Sequence, residues 1–183
     1  MMKSEFTLIQ YIRNKIRIKG NAELHIASSA KIVNCDISIK GNNNTLVIQD
    51  EVTIRYTQIE ILGDNCSIEI GKNSIIGHES YLSAKEGRCL QIKENCMFSR
   101  NVKIMTSDGH PIYEDGVLIN KGKDVLINNN VWLADNVTVL KGVSIGHDCV
   151  VGINSTLAHS ISAHTIAVGN PAKVVKENVS WEE

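Results

Sequence analysis

From Ile127 to Leu157 an aliphatic side chain returns at every sixth position, through Ile127, Leu133, Val139, Ile145, Val151 and Leu157. A second column runs two residues ahead of it, through Val131, Val137, Val143, Cys149 and Ser155, and small residues follow the main column at Ala134, Gly146, Gly152 and Ala158. A helix repeats every 3.6 residues and a half-buried strand every two, so neither produces this period. A fixed short period marks a solenoid, here the hexapeptide kind of parallel β-helix, and the fold class is all-β. Each short strand sends one aliphatic side chain into an axial core, and stacked coils pair their backbones along the axis. Three hexads make a coil of about eighteen residues, which gives roughly seven coils.

The same pattern is looser upstream. Ile26 and Ile32 are one hexad apart, as are Ile48 and Ile54, with turn residues Gly41–Asn44 between them. The register tightens at Ile70, Ile76 and Leu82, with Ser74 and Ser80 in the small column. It slips at Glu86-Gly87-Arg88 and resumes at Ile92, Phe98 and Ile104. About residues 106–123 (TSDGHPIYEDGVLINKGK) carry no hexads and include one of the two prolines. A segment without repeats inside such a stack must project outward, and loops extruded from rigid scaffolds are where function concentrates. Residues 1–17, with Phe6, Ile9, Tyr11, Ile12 and Ile16 near helical spacing, read as a cap on the first coil; terminal repeats need covering. A basic amphipathic segment of this kind also suits a membrane surface. The β-helix domain is assigned to 18–176 and a polar tail to 177–183.

Composition narrows the function classes. The chain has 183 residues and a formal net charge of −1, so nothing favours nucleic acid as a partner. Aromatics make up only 4%, which suits a narrow core of Ile, Val and Leu. The five cysteines lack metal-type spacing; Cys66, Cys96 and Cys149 fall in the small column, where a thiol packs as a small hydrophobe. An odd number of cysteines without a disulfide framework points to a reducing, cytoplasmic compartment. No stretch reaches membrane-spanning length and no signal-peptide run is present.

Three segments carry a resemblance: Ser107-Asp-Gly-His-Pro111, Asn130-Val-Trp132 through Gly146, and Val168-Gly-Asn-Pro-Ala-Lys173. Together, over about residues 60–176, they resemble the hexapeptide acyltransferases. The nearest branch holds galactoside and maltose O-acetyltransferases, streptogramin acetyltransferases, and O-acetyltransferases of bacterial capsule and lipopolysaccharide clusters. The resemblance implies a left-handed coil, an exception to the right-handed crossover rule. It also implies a homotrimer with active sites between subunits, and acetyl-CoA as co-substrate with no tightly bound cofactor and no metal.

By this resemblance His110 is the general base; a neutral imidazole that titrates near operating pH suits removal of a hydroxyl proton. Asp108, two residues earlier, is a supporting candidate that could hold the imidazole tautomer or an acceptor hydroxyl; the galactoside branch has Thr there. A wide indole cannot enter a narrow prism, so Trp132 points outward, and the family places it on the active-site wall. Coenzyme contacts carry over onto Ala134, Asp135, Ile153 and Ala158, with the amide at Asp135 as oxyanion donor. Lys173 and Lys176 match basic residues that meet the coenzyme phosphates. The acceptor side departs most: the sugar-gripping residues of the galactoside enzymes align near Ser80 and Arg88. Arg88 with Lys85 suggests an anionic sugar. The leading reading is O-acetyl transfer to a sugar hydroxyl of a surface polysaccharide or its precursor. Alternatives are N-acetylation of an amino sugar, acetylation of a small molecule such as an antibiotic, a non-catalytic assembly solenoid, and a γ-class carbonic anhydrase. The last would need three metal-binding histidines brought together across a subunit boundary; His159 and His164 lie five residues apart.

Overall fold

The computed structural model describes residues 2–3 and 6–182. The chain winds into a three-faced prism of parallel strands. In each coil it passes a first face (Ile37, Ile59, Leu82, Ile104, Val139, Leu157) and then a second (Ile48, Ile70, Ile92, Ile127, Ile145). A third follows (Ile32, Ile54, Ile76, Phe98, Leu133, Val151, Ala167). Each of these side chains is buried, so the aliphatic columns of the sequence are the axial core. Burying such a side chain stabilises by about 1.5–3 kcal/mol, repeated at every face of every coil. The small column behaves as expected: Cys66, Cys96 and Cys149 are buried, and burial pushes the Cys96 thiol up to about 12.

Coil length departs from the expected eighteen. In the N-terminal part Ile54 stacks on Ile76 and Ile76 on Phe98, twenty-two residues per coil; toward the C-terminus Leu133 stacks on Val151 and Val139 on Leu157, eighteen per coil. The excess sits at one corner, between the first and second faces. There the step is eleven residues from Ile37 to Ile48 but six from Val139 to Ile145. What looks like a slipping register is therefore one repeated insertion at a single corner, with the other two corners kept at five or six residues.

The wide corner is made of glycine and asparagine. Strands Lys15–Ala27 and Asp36–Ile48 run unbroken around it, so the first and second faces form one sheet. Gly20, Gly41 and Gly63 have φ of +101°, +115° and +102° and lie one above another. A Cβ on Gly41 would fall 2.1 Å from the Gly63 carbonyl oxygen. Asn44, wholly buried, donates to the Gly63 carbonyl at 2.8 Å and accepts from the Cys66 amide at 2.9 Å, replacing pairing lost at the bend.

Both ends differ from expectation. A one-and-a-half-turn helix, Leu8–Arg13, covers the first coil and starts on a capping box between Thr7 and Gln10. Gln10 is the residue the helix buries, beside Phe6 just ahead of it, while Leu8, Ile9 and Ile12 remain exposed. The solenoid begins at Lys15, inside the segment expected as cap. At the other end Ala172–Glu177 folds back antiparallel on Thr165–Gly169, and the residues beyond it return to the coil corner rather than leaving the molecule. Among the described residues no helix is long and apolar enough to cross a membrane.

Candidate active site

The loop without hexads leaves the first face after Lys103–Met105 and rejoins the second at Val125–Ile127, from the corner that is already widened in earlier coils. Its neck is tied to the coil beneath. The buried Thr106 hydroxyl accepts from the Lys85 amide at 2.9 Å, and the Thr106 carbonyl accepts from the Lys123 amide at 2.9 Å. Glu86 spans the neck, accepting the Ser107 hydroxyl on one oxygen and the Gly122 amide, at 2.7 Å, on the other. The Ser107 bond first, then the Gly122 amide, holds the Glu86 carboxyl below its ordinary range.

The loop itself is a hairpin. Tyr113–Glu114 pairs with Val117–Leu118 around Asp115 and Gly116, both at positive φ. An Asp-Gly pair between two short strands is the signature of a type I′ turn; this assigns Asp115 to turn geometry rather than chemistry. Asn120 organises the stretch that carries His110. Its side-chain amide donates to the His110 carbonyl at 2.9 Å and to Asp108 Oδ2 at 2.8 Å, and its Oδ1 accepts from the Ile112 amide at 2.7 Å. Lys141, from the next coil, donates to the Asp108 carboxylate and to the Asn120 carbonyl at 2.6 Å. Partial burial alone would raise the Asp108 carboxyl, but the Lys141 and Asn120 bonds and the lysine charge outweigh it and hold it low. His110 is thus gripped by its backbone, while its ring is exposed and makes no hydrogen bond to any described residue. Asp108 makes no hydrogen bond or ion pair with the imidazole; it braces the loop against Lys141.

On the third face Trp132 points outward, half-buried, its indole N–H donating to Ser99 Oγ at 3.2 Å. The amide of Ala134 is consumed by the coil ladder, on the Val151 carbonyl at 3.0 Å. The amide of Asp135 has no acceptor among the described residues and remains available to an oxyanion. The Asp135 side chain takes three bonds from Arg100, at 2.8, 3.1 and 2.6 Å, which hold this turn and keep the carboxyl below its usual range. Ile153 is 60% exposed one coil further on at the same corner, where the Asn154 amide binds the Asp135 carbonyl. Lys173 and Lys176 are exposed on the closing hairpin. Ala158 stands apart, following Leu157 on the loop side of the prism.

The acceptor pair is not formed. Ser80 is 1% exposed, and its hydroxyl accepts the Val102 amide at 3.2 Å inside the core, so its small-column role excludes contact with a sugar. Arg88 is half-buried at the wide corner, away from Ser80, with its Nε lacking a partner. Glu86 and Lys141 escape sequence reasoning because coil stacking, not spacing, brings them to the loop; Asn120 lies in the loop, and its bracing bonds appear only once the hairpin folds back on the His110 stretch. The Asp115-Gly116 pair was the one local signal that the loop is a hairpin.

The solenoid, the extruded histidine loop and the Trp132 corner define a class, the hexapeptide-repeat acetyltransferases. No protein-family model matches the chain. It is 40% identical over 167 residues to the polysialic acid O-acetyltransferase of Neisseria meningitidis, across 90% of this chain and 77% of that protein. The crystal structure of the polysialic acid O-acetyltransferase OatWY superposes with a TM-score of 0.86 at 35% identity, over 93% of this chain and 87% of that one. That of the polySia-specific acetyltransferase NeuO gives 0.75 at 30% identity, over 94% and 83%. The chain belongs to the hexapeptide-repeat O-acetyltransferase family that contains these enzymes, and it is an acyltransferase. The same likeness makes its solenoid a left-handed parallel β-helix.

Proposed function

We propose that the chain transfers acetyl from acetyl-CoA to a hydroxyl of an anionic, sialic-type surface polysaccharide, with His110 as general base. The observation that carries this reading is the His110 loop, braced at its neck and along its backbone with the ring left free. In the reaction the imidazole takes the hydroxyl proton as the oxygen attacks the thioester carbonyl. The tetrahedral oxyanion is received by the Asp135 amide. The C–S bond then breaks and the proton passes to the departing CoA sulfur. Lys173 and Lys176 supply charge for the coenzyme phosphates.

An anionic acceptor is supported by the outward side of the first face. Lys15, Lys19, Lys40 and Lys103 are exposed there, with Arg17 and Lys85 half-buried, against the two carboxylates Asp36 and Glu60 in the same columns. Lys15 and Arg17 pair with Asp36 and Lys85 with Glu60, which leaves Lys19, Lys40 and Lys103 without a carboxylate partner among the described residues, and a net positive strip on a rigid face suits a polymer with regularly spaced carboxylates. A trimer is supported by the division of the site. The His110 loop leaves the corner between the first and second faces, whereas Trp132, Asp135 and Ile153 lie on and beside the third. A neighbouring copy would bring one half to the other. All five cysteines are free, which suits work in the cytoplasm.

The test is CoA release from acetyl-CoA with oligomers of sialic acid, a neutral polysaccharide of matched length, and no acceptor, each run beside His110→Ala. Release that requires the anionic polymer and collapses in the variant supports the reading. Equal release with the neutral polymer removes the anionic acceptor, and release that survives the substitution removes His110 as base.

A further inference from the structure

A second constellation stands at the corner between the second and third faces, away from the His110 loop. His147 and His164 lie one above the other on successive coils, joined by the His164 amide on the His147 carbonyl at 2.9 Å, with ring centroids 4.6 Å apart. Asp148 lies between them, its Oδ2 2.6 Å from His147 Nδ1 and 3.8 Å from His164 Nδ1. One ligand atom from each of the three residues lies within 4.8 Å of those of the other two. The set is held from outside. Asn130 donates to Asp148 Oδ1 at 2.6 Å, and His164 bonds Val179 both through its carbonyl, at 3.1 Å, and through its ring, at 3.2 Å.

We propose that His147, Asp148 and His164 bind a divalent cation of the zinc class, and that its occupancy fastens the C-terminal segment against Trp132. Two imidazoles and one carboxylate on a rigid backbone are a donor set of the kind zinc takes, with water at the remaining position on the exposed side. The partners behind the ligands are those such sites use, an amide on the carboxylate and a backbone carbonyl on a ring nitrogen. The ligating ring nitrogens and carboxylate oxygen must be free of protons, so binding releases any they carry into solvent. The link to the tail is direct. Asn130, which holds Asp148, accepts the Trp181 indole N–H on its carbonyl at 2.7 Å, and the Trp181 ring sits 5.9 Å from that of Trp132.

The experiment titrates the full, untagged chain with Zn2+ by calorimetry. Hydrogen exchange at the Val179 amide is followed with and without the metal. One saturable equivalent is expected in the parent chain. In Asp148→Asn, which keeps a hydrogen-bonding group facing Asn130, binding weakens by at least ~10-fold, the least that loss of even an outer partner costs a metal site. His164→Asn should do the same, since Asn tolerates the left-handed backbone there. Co2+ should quench the emission of Trp132→Phe, in which Trp181 is the one indole left. Absence of saturable binding, or binding that survives both substitutions, overturns the site. Binding with no slowing of Val179 exchange overturns its role in fastening the tail.

Discussion

One corner of the prism is built twice, in two ways. Among the N-terminal coils it is ten or eleven residues wide, a glycine and asparagine bend that carries two faces as one continuous sheet; in the C-terminal coils it is six residues wide and the sheet breaks cleanly. The core columns run through both halves unchanged. Residues added at a corner lie outside the axial core, so the two remaining corners keep the register and the apolar stack loses nothing. The loop that carries His110 is the same insertion made longer at the same corner. Its neck rests on the last wide coil through Glu86, and the stretch just above the neck rests on the first narrow coil through Lys141. The wide half is shaped by backbone contact, and the His110 loop between the halves by side-chain contact. Substitutions at this one corner should therefore separate stability from activity.

The largest separation is expected at the loop. His110→Ala removes an exposed ring that supports nothing in the fold, so thermal unfolding should move by less than ~0.5 kcal/mol. Turnover should fall by roughly 10²–10⁴-fold, the range assigned to a positioned general base. Steady-state rates and calorimetry on the same preparation check both halves. A fall in stability comparable to the loss of rate would break the distinction drawn above.

Gly41→Ala tests the opposite half. The added methyl would sit 2.1 Å from the Gly63 carbonyl oxygen on a backbone at φ +115°, with a neighbour that is itself main chain and cannot yield. A cost of roughly 3 kcal/mol or more is expected, combining backbone strain with forced separation of two coils. Urea denaturation reads it; a loss under ~1 kcal/mol would show that the glycine ladder is not what holds the wide corner.

The sequence made these two halves unequally legible. Clean hexads from Ile127 to Leu157 state the core outright, because at a narrow corner position along the chain is position around the prism. The upstream half hides the same core behind Gly41–Asn44 and Glu86–Arg88, whose length shifts the count without shifting the columns. In the candidate site, residue type and motif single out His110 and Trp132. Ser80 shows the reverse, since the small-column pattern places it in the core, where the structure has it, and a motif alignment drew it toward the acceptor. The bracing residues were out of reach. Glu86 meets Gly122, and Lys141 meets Asp108, across coil contacts that no local pattern announces. Trp181 sat in a tail read as polar, and it packs on Trp132.

Glu86→Gln sharpens the comparison at an intermediate size. The amide keeps one acceptor oxygen for Ser107 or Gly122 and loses the charge that strengthens both bonds. Loosening the neck should lower kcat by roughly tenfold through misplacement of His110, with KM for acetyl-CoA unchanged. The pH dependence has a definite sign. The folded-state pKa of Glu86 is depressed, so the clamp contributes fully above the ordinary glutamate value of ~4.3 and is lost as pH falls through the lower folded value. Hydrogen exchange at the Gly122 amide should accelerate relative to its intrinsic rate in that acid range for the parent chain. In Glu86→Gln the acceleration should already be present at neutral pH. A parent loop that shows no such acid dependence would remove Glu86 as its clamp.

The smallest effect is expected from the same kind of residue, at the same corner, on the narrow side. Gly142 also has a positive φ, +79°, but a Cβ there would meet the Lys123 side chain, its Cδ at 2.8 Å, instead of a carbonyl of the neighbouring coil. A flexible aliphatic stem can swing aside where main chain cannot. Gly142→Ala then costs chiefly the left-handed backbone conformation, about 1–2 kcal/mol, with a small adjustment at the Lys123 Cβ 3.3 Å away. Lys123 has no side-chain hydrogen bond or ion pair to lose among the described residues, and its amide bond to Thr106 is independent of the stem. Turnover should stay within about twofold, since Lys141, the neighbour that braces Asp108, keeps its backbone position. Denaturation of Gly142→Ala beside Gly41→Ala isolates what the widened corner adds. Both variants share the penalty for a methyl at positive φ, and only one forces two coils apart. Equal losses would mean that backbone conformation alone governs this corner, and that the close glycine approach in the wide coils carries no energy of its own.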